Sequence, residues 1–332
     1  MTIRIAVIGA GIMGSDHARI IAGDLPGATL QVTCDASRDR AEAIARDCGG
    51  DVATDPLEVI ARADVDAVLI ASPDVTHAPL TLACIAAGKP VLCEKPLSQS
   101  VAECRQVVEA EIACGRRLIQ LGFMRRFDQS YAEMKAALAE GAIGKALMMH
   151  NFHRNVENPA ADFIASMAIT NSAPHEFDVA RWVLNCDYAF ITAFEPKREG
   201  MVGPVFMVIE TTKGQLVNIE INNNAAYGYD VRGELVGEKG SLSLNKTSAI
   251  RRDLAMAQST AYDADWRPAY GEAYRRQNQA WIKAIQTGKP SVVAANAWDG
   301  YCSTLVAEAG VRSLAEGRKV AIERQLQPDF YR

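Results

Sequence analysis

IRIAVIGAGIMG, residues 3–14, is the stretch that decides the fold of the N-terminal part of the chain. Its apolar half, residues 3–8, is typical of a strand buried on both faces of a parallel sheet. The glycine half has the spacing G-x-G-x-x-G and leads into an amphipathic helix with Ala18 and Ile21 on one side. Such glycines permit a tight turn, a close backbone approach to a pyrophosphate, and packing of helix on strand. We therefore predict a bound dinucleotide, contacted by Gly9, Gly11, Ile12, Met13 and Gly14.

A carboxylate after the second predicted strand indicates which dinucleotide binds. Residues 30–34 form another apolar run, and Asp35 follows it, roughly 20 residues beyond the glycine turn, where an acidic residue holds the ribose 2′-hydroxyl. This position disfavours a 2′-phosphate, so we predict NAD rather than NADP, with Ser37 beside the ribose. Arg38 and Arg40 leave NADP open, because an arginine there can accommodate a phosphate.

The composition of the whole chain excludes several classes of protein. With 332 residues, 49% hydrophobic and 23% charged, the sequence is typical of a globular protein of about two domains. A net charge of −5 gives no basic field for nucleic acid, and no apolar run is long enough to span a bilayer. The first strand leaves no room for a signal peptide. Eight cysteines without a C-x-x-C pair, and five histidines without metal-ligand spacing, predict reduced core thiols, no metal and a cytoplasmic protein.

The order of strand and helix signals divides the chain into two predicted domains. Over residues 1–122 they alternate, which predicts a Rossmann-type, doubly wound parallel sheet that binds NAD. From residue 123 to 332 most signals are consecutive strands with few helices, which predicts an α+β domain for substrate. Residues 247–268 show no periodicity and are predicted to form a long loop.

Polar residues follow two further predicted strands of the first domain. Ser72 and Pro73 follow residues 67–71, and Glu94 and Lys95 follow residues 90–93. Ligands of open α/β sheets bind beyond the carboxyl ends of the strands, so we predict these four residues at the cofactor. Lys95, fixed by the next proline, is placed to donate hydrogen bonds into the crevice; the alternative is a solvated surface lysine.

The predicted second domain contains three short stretches with reactive side chains, at residues 124–126, 153–155 and 171–178. Oxidation of an alcohol by hydride transfer needs a base for the hydroxyl proton, and histidine suits that role near neutral pH. We therefore predict His175 as the base and Lys95 as the group that stabilises the alkoxide. On spacing alone, capping or packing remains the simpler role for a histidine at a helix start.

Four motifs in combination resemble the Gfo/Idh/MocA family of NAD(P)-dependent oxidoreductases: GAGIMG (9–14), SPDVTH (72–77), CEKPL (93–97) and HEFDVARW (175–182). Three more stretches resemble its inositol 2-dehydrogenase branch: HRN (153–155), MAITNSAPHEFDVARWVL (167–184) and YGYDVRGELVGEKGSLSL (227–244). The resemblance covers essentially the whole chain. It implies a Rossmann domain joined to an α/β domain with a large, open antiparallel sheet. It also implies oligomerisation through that sheet, commonly to a homotetramer.

The resemblance also assigns roles to individual residues. The family's catalytic lysine falls on Lys95 and its acid/base histidine on His175. The residues that contact substrate hydroxyls would then be Lys95 and His175 with Met124, Arg125, His153, Asn155, Asn171, Ser172, Tyr229 and Tyr274. His77 would lie near the cofactor, with a structural role as the alternative.

Asn171 departs from the family pattern, which usually places an aspartate four residues before the catalytic histidine. An aspartate would stabilise the protonated imidazole, whereas an amide carries no charge. We therefore expect His175 to have a lower pKa here than in a family member with the aspartate. Asn171 is kept among the predicted catalytic residues, and the departure concerns the substrate more than the reaction.

The resulting hypothesis is a reversible, NAD-dependent dehydrogenase that oxidises a secondary hydroxyl of a cyclic polyol such as myo- or scyllo-inositol. The first alternative is a dehydrogenase of a pyranose sugar or sugar derivative with the same chemistry. The second is a sensor that binds NAD without turnover, which the presence of both Lys95 and His175 disfavours.

Overall fold

The computed structural model describes residues 2–156, 163–196, 202–245 and 250–332. The chain forms two compact units, each assembled from separate segments. The first unit comprises Met1–Phe127, Ala273–Thr304 and Leu326–Arg332. The second unit comprises Asp128–Glu272 and Leu305–Gln325.

The first unit contains a six-stranded sheet in which every neighbouring pair is parallel. Its strands are β1 (Ile3–Ile8), β2 (Ala28–Cys34), β3 (Asp51–Ala53), β4 (Ala67–Ile70), β5 (Val91–Cys93) and β6 (Ile119–Leu121). Their order in the sheet is β3-β2-β1-β4-β5-β6, which is the order of the dinucleotide-binding Rossmann fold. The predicted fold of this part is confirmed, with β3 as a strand that the pattern does not reveal.

Five helices follow the strands of this sheet: α1 (Ile12–Asp24), α2 (Arg38–Cys48), α3 (Pro56–Ala61), α4 (His77–Ala86) and α5 (Val101–Cys114). Helix α3 begins directly after Asp55, because the Asp55 carboxylate accepts hydrogen bonds from the Leu57 and Glu58 amides at 2.8 and 3.2 Å. Ile5 and Val7 of β1 share a buried core with Ala18 and Ile21 of α1. This packing fixes the glycine turn that joins the two elements.

The second unit is built on a seven-stranded sheet and also carries a two-stranded hairpin. The remaining strands are β7 (Ala146–Arg154), β8 (Tyr188–Phe194), β9 (Val205–Thr211), β10 (Leu216–Asn222), β11 (Asp230–Gly237), β12 (Ser241–Ser243), β13 (Arg251–Leu254), β14 (Ala257–Thr260) and β15 (Val320–Ala321). The large sheet has the order β12-β11-β7-β10-β9-β8-β15. Its β7–β10 pair is parallel and its other pairs are antiparallel. The sheet is therefore mixed rather than wholly antiparallel.

The remaining helices are α6 (Gln129–Ala139), α7 (Ala165–Met167), α8 (Pro174–Leu184), α9 (Arg267–Thr287) and α10 (Ala297–Glu316). One face of the large sheet is buried with side chains of α8, such as Phe177 and Val183. Burial alternates along strand β10, with Val217, Ile219 and Ile221 at most 1% exposed and the residues between them half-buried. In the described part of the chain, every helix is too short or too polar to cross a membrane.

Two predictions about organisation are wrong. The division does not fall at residue 122, because Trp281 and Ile282 of α9 pack in the core of the first unit. The predicted loop at 247–268 contains the hairpin β13–β14 and the start of α9. All eight hairpin residues are exposed, so no apolar alternation marks them. Positions 247–249 of the predicted loop lie outside the described residues.

Candidate active site

The glycine turn has the shape that a pyrophosphate requires. A Cβ on Gly14 would lie 1.7 Å from the carbonyl oxygen of Gly9, so only glycine fits where helix α1 meets the turn. A Cβ on Gly11 would meet nothing within 4 Å, which leaves open space beside its backbone. Ile12, at the start of α1, is 60% exposed. These residues fit a dinucleotide, because the turn leads into the N-terminus of α1 and a Cβ at Gly11 would meet no atom within 4 Å.

Asp35 lies directly beside this turn, at the end of β2. One carboxylate oxygen accepts from the amide of Ala10 at 2.8 Å, and the other accepts from the amide of Ser37 at 2.8 Å and from Arg40 Nη2 at 2.7 Å. Burial alone would raise the pKa of Asp35, but the amide of Ala10 and the guanidinium of Arg40 hold it below its ordinary value. Asp35 is therefore an anion at neutral pH, as a ribose acceptor needs to be.

His77 connects the turn after β4 with the segment after β5. Its Nδ1 lies 2.7 Å from the carbonyl oxygen of Pro96 and its Nε2 lies 2.9 Å from that of Ser72. Burial alone would lower the pKa of His77, but Cys93 and the Pro96 carbonyl raise it to about 10. With two carbonyl acceptors, both ring nitrogens donate. This geometry supports the structural alternative for His77. The side chain joins Ser72, which precedes Pro73, to Pro96, which follows Lys95.

Three residues assigned to substrate by resemblance lie in the first unit, not in the second. Met124 and Arg125 begin a short 3₁₀ helix and are 3% and 1% exposed. Tyr274, on α9, packs its ring edge-on against His17, with centroids 5.5 Å apart. The three are thus buried parts of the nucleotide-binding unit.

In the second unit, the predicted histidines lie in one buried cluster. His153 is near the end of β7, and His175 is the second residue of α8, with ring centroids 6.5 Å apart. His153 Nδ1 donates to Glu176 Oε2 at 3.2 Å, and Glu176 is fully buried. Tyr229 packs edge-on against His153 at 6.1 Å. Glu176 thus fixes the imidazole of His153. The imidazole of His175 lies at the start of α8 and is 7% exposed.

The second unit also contains hydrogen-bonded amide and hydroxyl side chains from residues 155, 170–172 and 223. Asn155 Nδ2 donates to Asn223 Oδ1 at 2.8 Å, and Ser172 Oγ lies 3.3 Å from the same amide. Asn171 belongs to a π-helical turn at Ala168–Ser172, and its Oδ1 accepts from Thr170 Oγ1 at 2.7 Å. Such groups both donate and accept, as recognition of several hydroxyls requires.

Four residues that contact predicted ones or each other were not named individually from the sequence: Glu176, Asn223, His17 and Asn278. Glu176 lies within the predicted stretch 171–178, whereas Asn223, one residue beyond β10, belongs to no predicted site stretch. Within the described residues, no group of three or more His, Cys, Asp or Glu side chains could hold a metal ion.

Comparisons with known proteins agree with this geometry. Residues 3–123 match the Gfo/Idh/MocA model described as an oxidoreductase family with an NAD-binding Rossmann fold. Residues 135–322 match the model for the C-terminal alpha/beta domain of the same oxidoreductase family. The chain belongs to the Gfo/Idh/MocA oxidoreductase family. It is therefore an NAD-dependent oxidoreductase, and the resemblance seen in the motifs is confirmed.

Individual members of the Gfo/Idh/MocA family are similar over their full length. Inositol 2-dehydrogenase 2 of Saccharopolyspora erythraea is 46% identical, covering 100% of this chain and 98% of that protein. Inositol 2-dehydrogenase of Klebsiella pneumoniae is 38% identical, with 100% of both chains covered. The crystal structure of myo-inositol dehydrogenase from Lactobacillus casei in complex with NAD(H) and myo-inositol superposes with a TM-score of 0.93, at 32% identity and with 100% of both chains covered.

Proposed function

We propose that this protein is an NAD-dependent dehydrogenase that reversibly oxidises a secondary hydroxyl of an inositol-type cyclic polyol to the ketone. The observation that carries the proposal is the polar cluster of the second unit, where His153 is held by the buried Glu176 and Asn155 by the half-buried Asn223. Directional donors and acceptors of this kind suit a ligand with a hydroxyl on every ring carbon. Relatives named inositol 2-dehydrogenases at 38–46% identity support the same substrate class.

The chemistry divides between two side chains in this proposal. NAD, when bound, supplies the hydride acceptor, and the glycine turn and Asp35 bind it. Lys95 donates to the substrate hydroxyl oxygen and stabilises the negative charge that develops there. His175 accepts the hydroxyl proton, and in ketone reduction it returns the proton. His153, Asn155, Asn171 and Ser172 orient the ring by hydrogen bonds to its other hydroxyls.

We further propose a cytoplasmic homotetramer that assembles through the open face of the seven-stranded sheet. That face leaves aromatic side chains accessible, with Phe190, Phe194 and Phe206 at 38%, 52% and 37% exposed. Large apolar side chains in one exposed area are typical of an interface. Light scattering after size exclusion tests the assembly: a monomer mass would contradict it, and Phe194→Glu is expected to reduce the mass.

A substrate panel tests the proposed reaction. Initial rates of NAD⁺ reduction are measured with myo-, scyllo- and D-chiro-inositol, D-glucose and other pyranoses, with NADP⁺ in parallel. We expect an inositol to give the highest kcat/KM, with NAD⁺ as the better cofactor. Turnover of a pyranose alone would favour the sugar dehydrogenase, which the amide of Asn171 also suits. Tight NAD binding without turnover on any substrate would favour the sensor.

A further inference from the structure

A buried hydrogen-bonded network in the first unit ends at Glu94 and Lys95. Its other members, His17 and Asn278, belong to no motif that predicts cofactor binding. His17 Nε2 lies 2.9 Å from Glu94 Oε1, and Asn278 Nδ2 lies 3.0 Å from His17 Nδ1. The three side chains are 1%, 4% and 0% exposed, respectively. They come from α1, the end of β5 and α9, so three distant segments of the first unit meet at one imidazole.

The network has a definite direction. Because the Asn278 amide donates to Nδ1, that nitrogen presents its lone pair, and the ring proton is on Nε2. Nε2 therefore donates to the Glu94 carboxylate. Asn278 thus selects the tautomer of His17, and His17 in turn occupies one oxygen of Glu94.

The other oxygen of Glu94 reaches the backbone of the proposed catalytic lysine. Glu94 Oε2 accepts from the amide N–H of Lys95 at 3.2 Å. Gly122 leaves the space for this carboxylate, since a Cβ there would lie 2.7 Å from its carboxyl carbon. The carboxylate is consequently fixed at one end by an imidazole and at the other by the Lys95 peptide.

We propose that His17, held by Asn278, is a positioning residue for Lys95. The proposal rests on the catalytic role of Lys95 that is proposed above. A buried carboxylate that loses a donor moves to recover a partner, and Glu94 cannot move without releasing the amide of Lys95. Displacement of a reacting group by about 1 Å can cost about 10²-fold in rate, so a small movement is sufficient.

The test compares two substitutions of the same residue. His17→Ala removes the donor to Glu94, and we expect kcat to fall about 10- to 100-fold, with the Kd of NAD unchanged within a factor of three. His17→Gln keeps an N–H at about the reach of Nε2, and we expect it to recover at least half of the loss on a logarithmic scale. Ile21→Ala, another buried residue of α1, is the control for lost packing. If it lowers kcat as much as His17→Ala at the same fall in Tm, the role is merely structural.

A double substitution separates this proposal from the one on which it rests. If His17 acts through Lys95, adding His17→Ala to Lys95→Ala leaves the residual kcat unchanged within about twofold, because the group to be positioned is absent. A further tenfold loss in that background would overturn the positioning role and leave the role of Lys95 intact. Full activity of Lys95→Ala alone would instead overturn the proposed function.

Discussion

Asp35 and His153 show how differently the two units fix their polar groups. Asp35 is held by two backbone amides, those of Ala10 in the glycine turn and Ser37, and by the guanidinium of Arg40 on α2. His153, on β7, is held by the carboxylate of Glu176 on α8, 23 residues further along the chain. A carboxylate at the position of Asp35 is typical of Rossmann dinucleotide sites, whereas the His153–Glu176 pair lies in the unit that is proposed to orient the substrate. Binding of cofactor and choice of substrate should therefore be separable by mutation.

The largest separation is expected at the two reacting groups. Lys95→Ala and His175→Ala should each lower kcat about 10³-fold, because charge stabilisation and proton transfer are lost. The Kd of NAD, measured by fluorescence titration, should stay within a factor of three in His175→Ala, because His175 is not among the predicted cofactor contacts. Lys89→Ala is the matched control, since the ammonium of Lys89 in the same unit donates to the Arg62 carbonyl. Unaltered turnover in Lys95→Ala would contradict the proposed roles.

A change of cofactor should leave the polyol site untouched. Asp35→Ser removes the ribose acceptor and releases Arg40, which can then pair with a 2′-phosphate. We expect the ratio of kcat/KM with NAD⁺ to that with NADP⁺ to fall about 10²-fold. Asp39→Ser, four residues along the chain, is the control. An altered order of preference among polyols in Asp35→Ser would break the separation between the two units.

His77 should link stability to pH in the first unit. Its pKa is about 10 in the fold, above the ordinary value of 6.5, so its stabilisation is complete below pH 6.5 and lost as the pH rises towards 10. His77→Gln leaves one of two carbonyls, that of the buried Pro96 or that of the half-buried Ser72, without a donor, and we expect a loss of about 2 kcal/mol at pH 7. Urea unfolding at pH 7 and pH 9.5 measures both effects. His150→Gln is the control, and an equal pH dependence in wild type and His77→Gln would refute the assignment.

Loss of the Glu176 carboxylate should weaken substrate binding without changing NAD binding. In Glu176→Gln, His153 loses a charge-assisted partner and no longer holds one orientation. We expect KM for the preferred polyol to rise about tenfold while the Kd of NAD is unchanged. Glu133→Gln, on α6 of the same unit, should alter neither constant. A weakened Kd of NAD in Glu176→Gln would show that the two functions are coupled.

The smallest effect is expected at Asn171. Asn171→Asp adds an anion four residues before His175 and so favours the protonated imidazole. The acidic limb of the pH profile of kcat/KM should move to higher pH by about half a unit. An unshifted limb would mean that residue 171 does not act on the proton of His175.

Structural features that depend on residues close together in the sequence were predicted correctly. The strand, glycine turn and helix at residues 3–24 were predicted, because they depend on spacing within one short stretch. Glu176 and Asn223 were not named as site residues, since each meets its partner between two elements, β7 with α8 and the segments that follow β7 and β10, and no pattern within one element marks the meeting. His17 was missed for a further reason: on a helix next to the glycine turn, a buried histidine has the spacing of an ordinary core residue.

The first unit is assembled from segments that are synthesised at different times. Trp281 and Ile282 complete its core, and Tyr331, next to the last residue, donates to the buried Glu111 at 2.6 Å. At about 5–20 residues per second, translation from residue 127 to Trp281 takes roughly 8–30 s. During that interval the sheet and its helices α1–α5 lack the part of their core that Trp281 and Ile282 supply. The core of the first unit is thus completed only after most of the second unit has been synthesised.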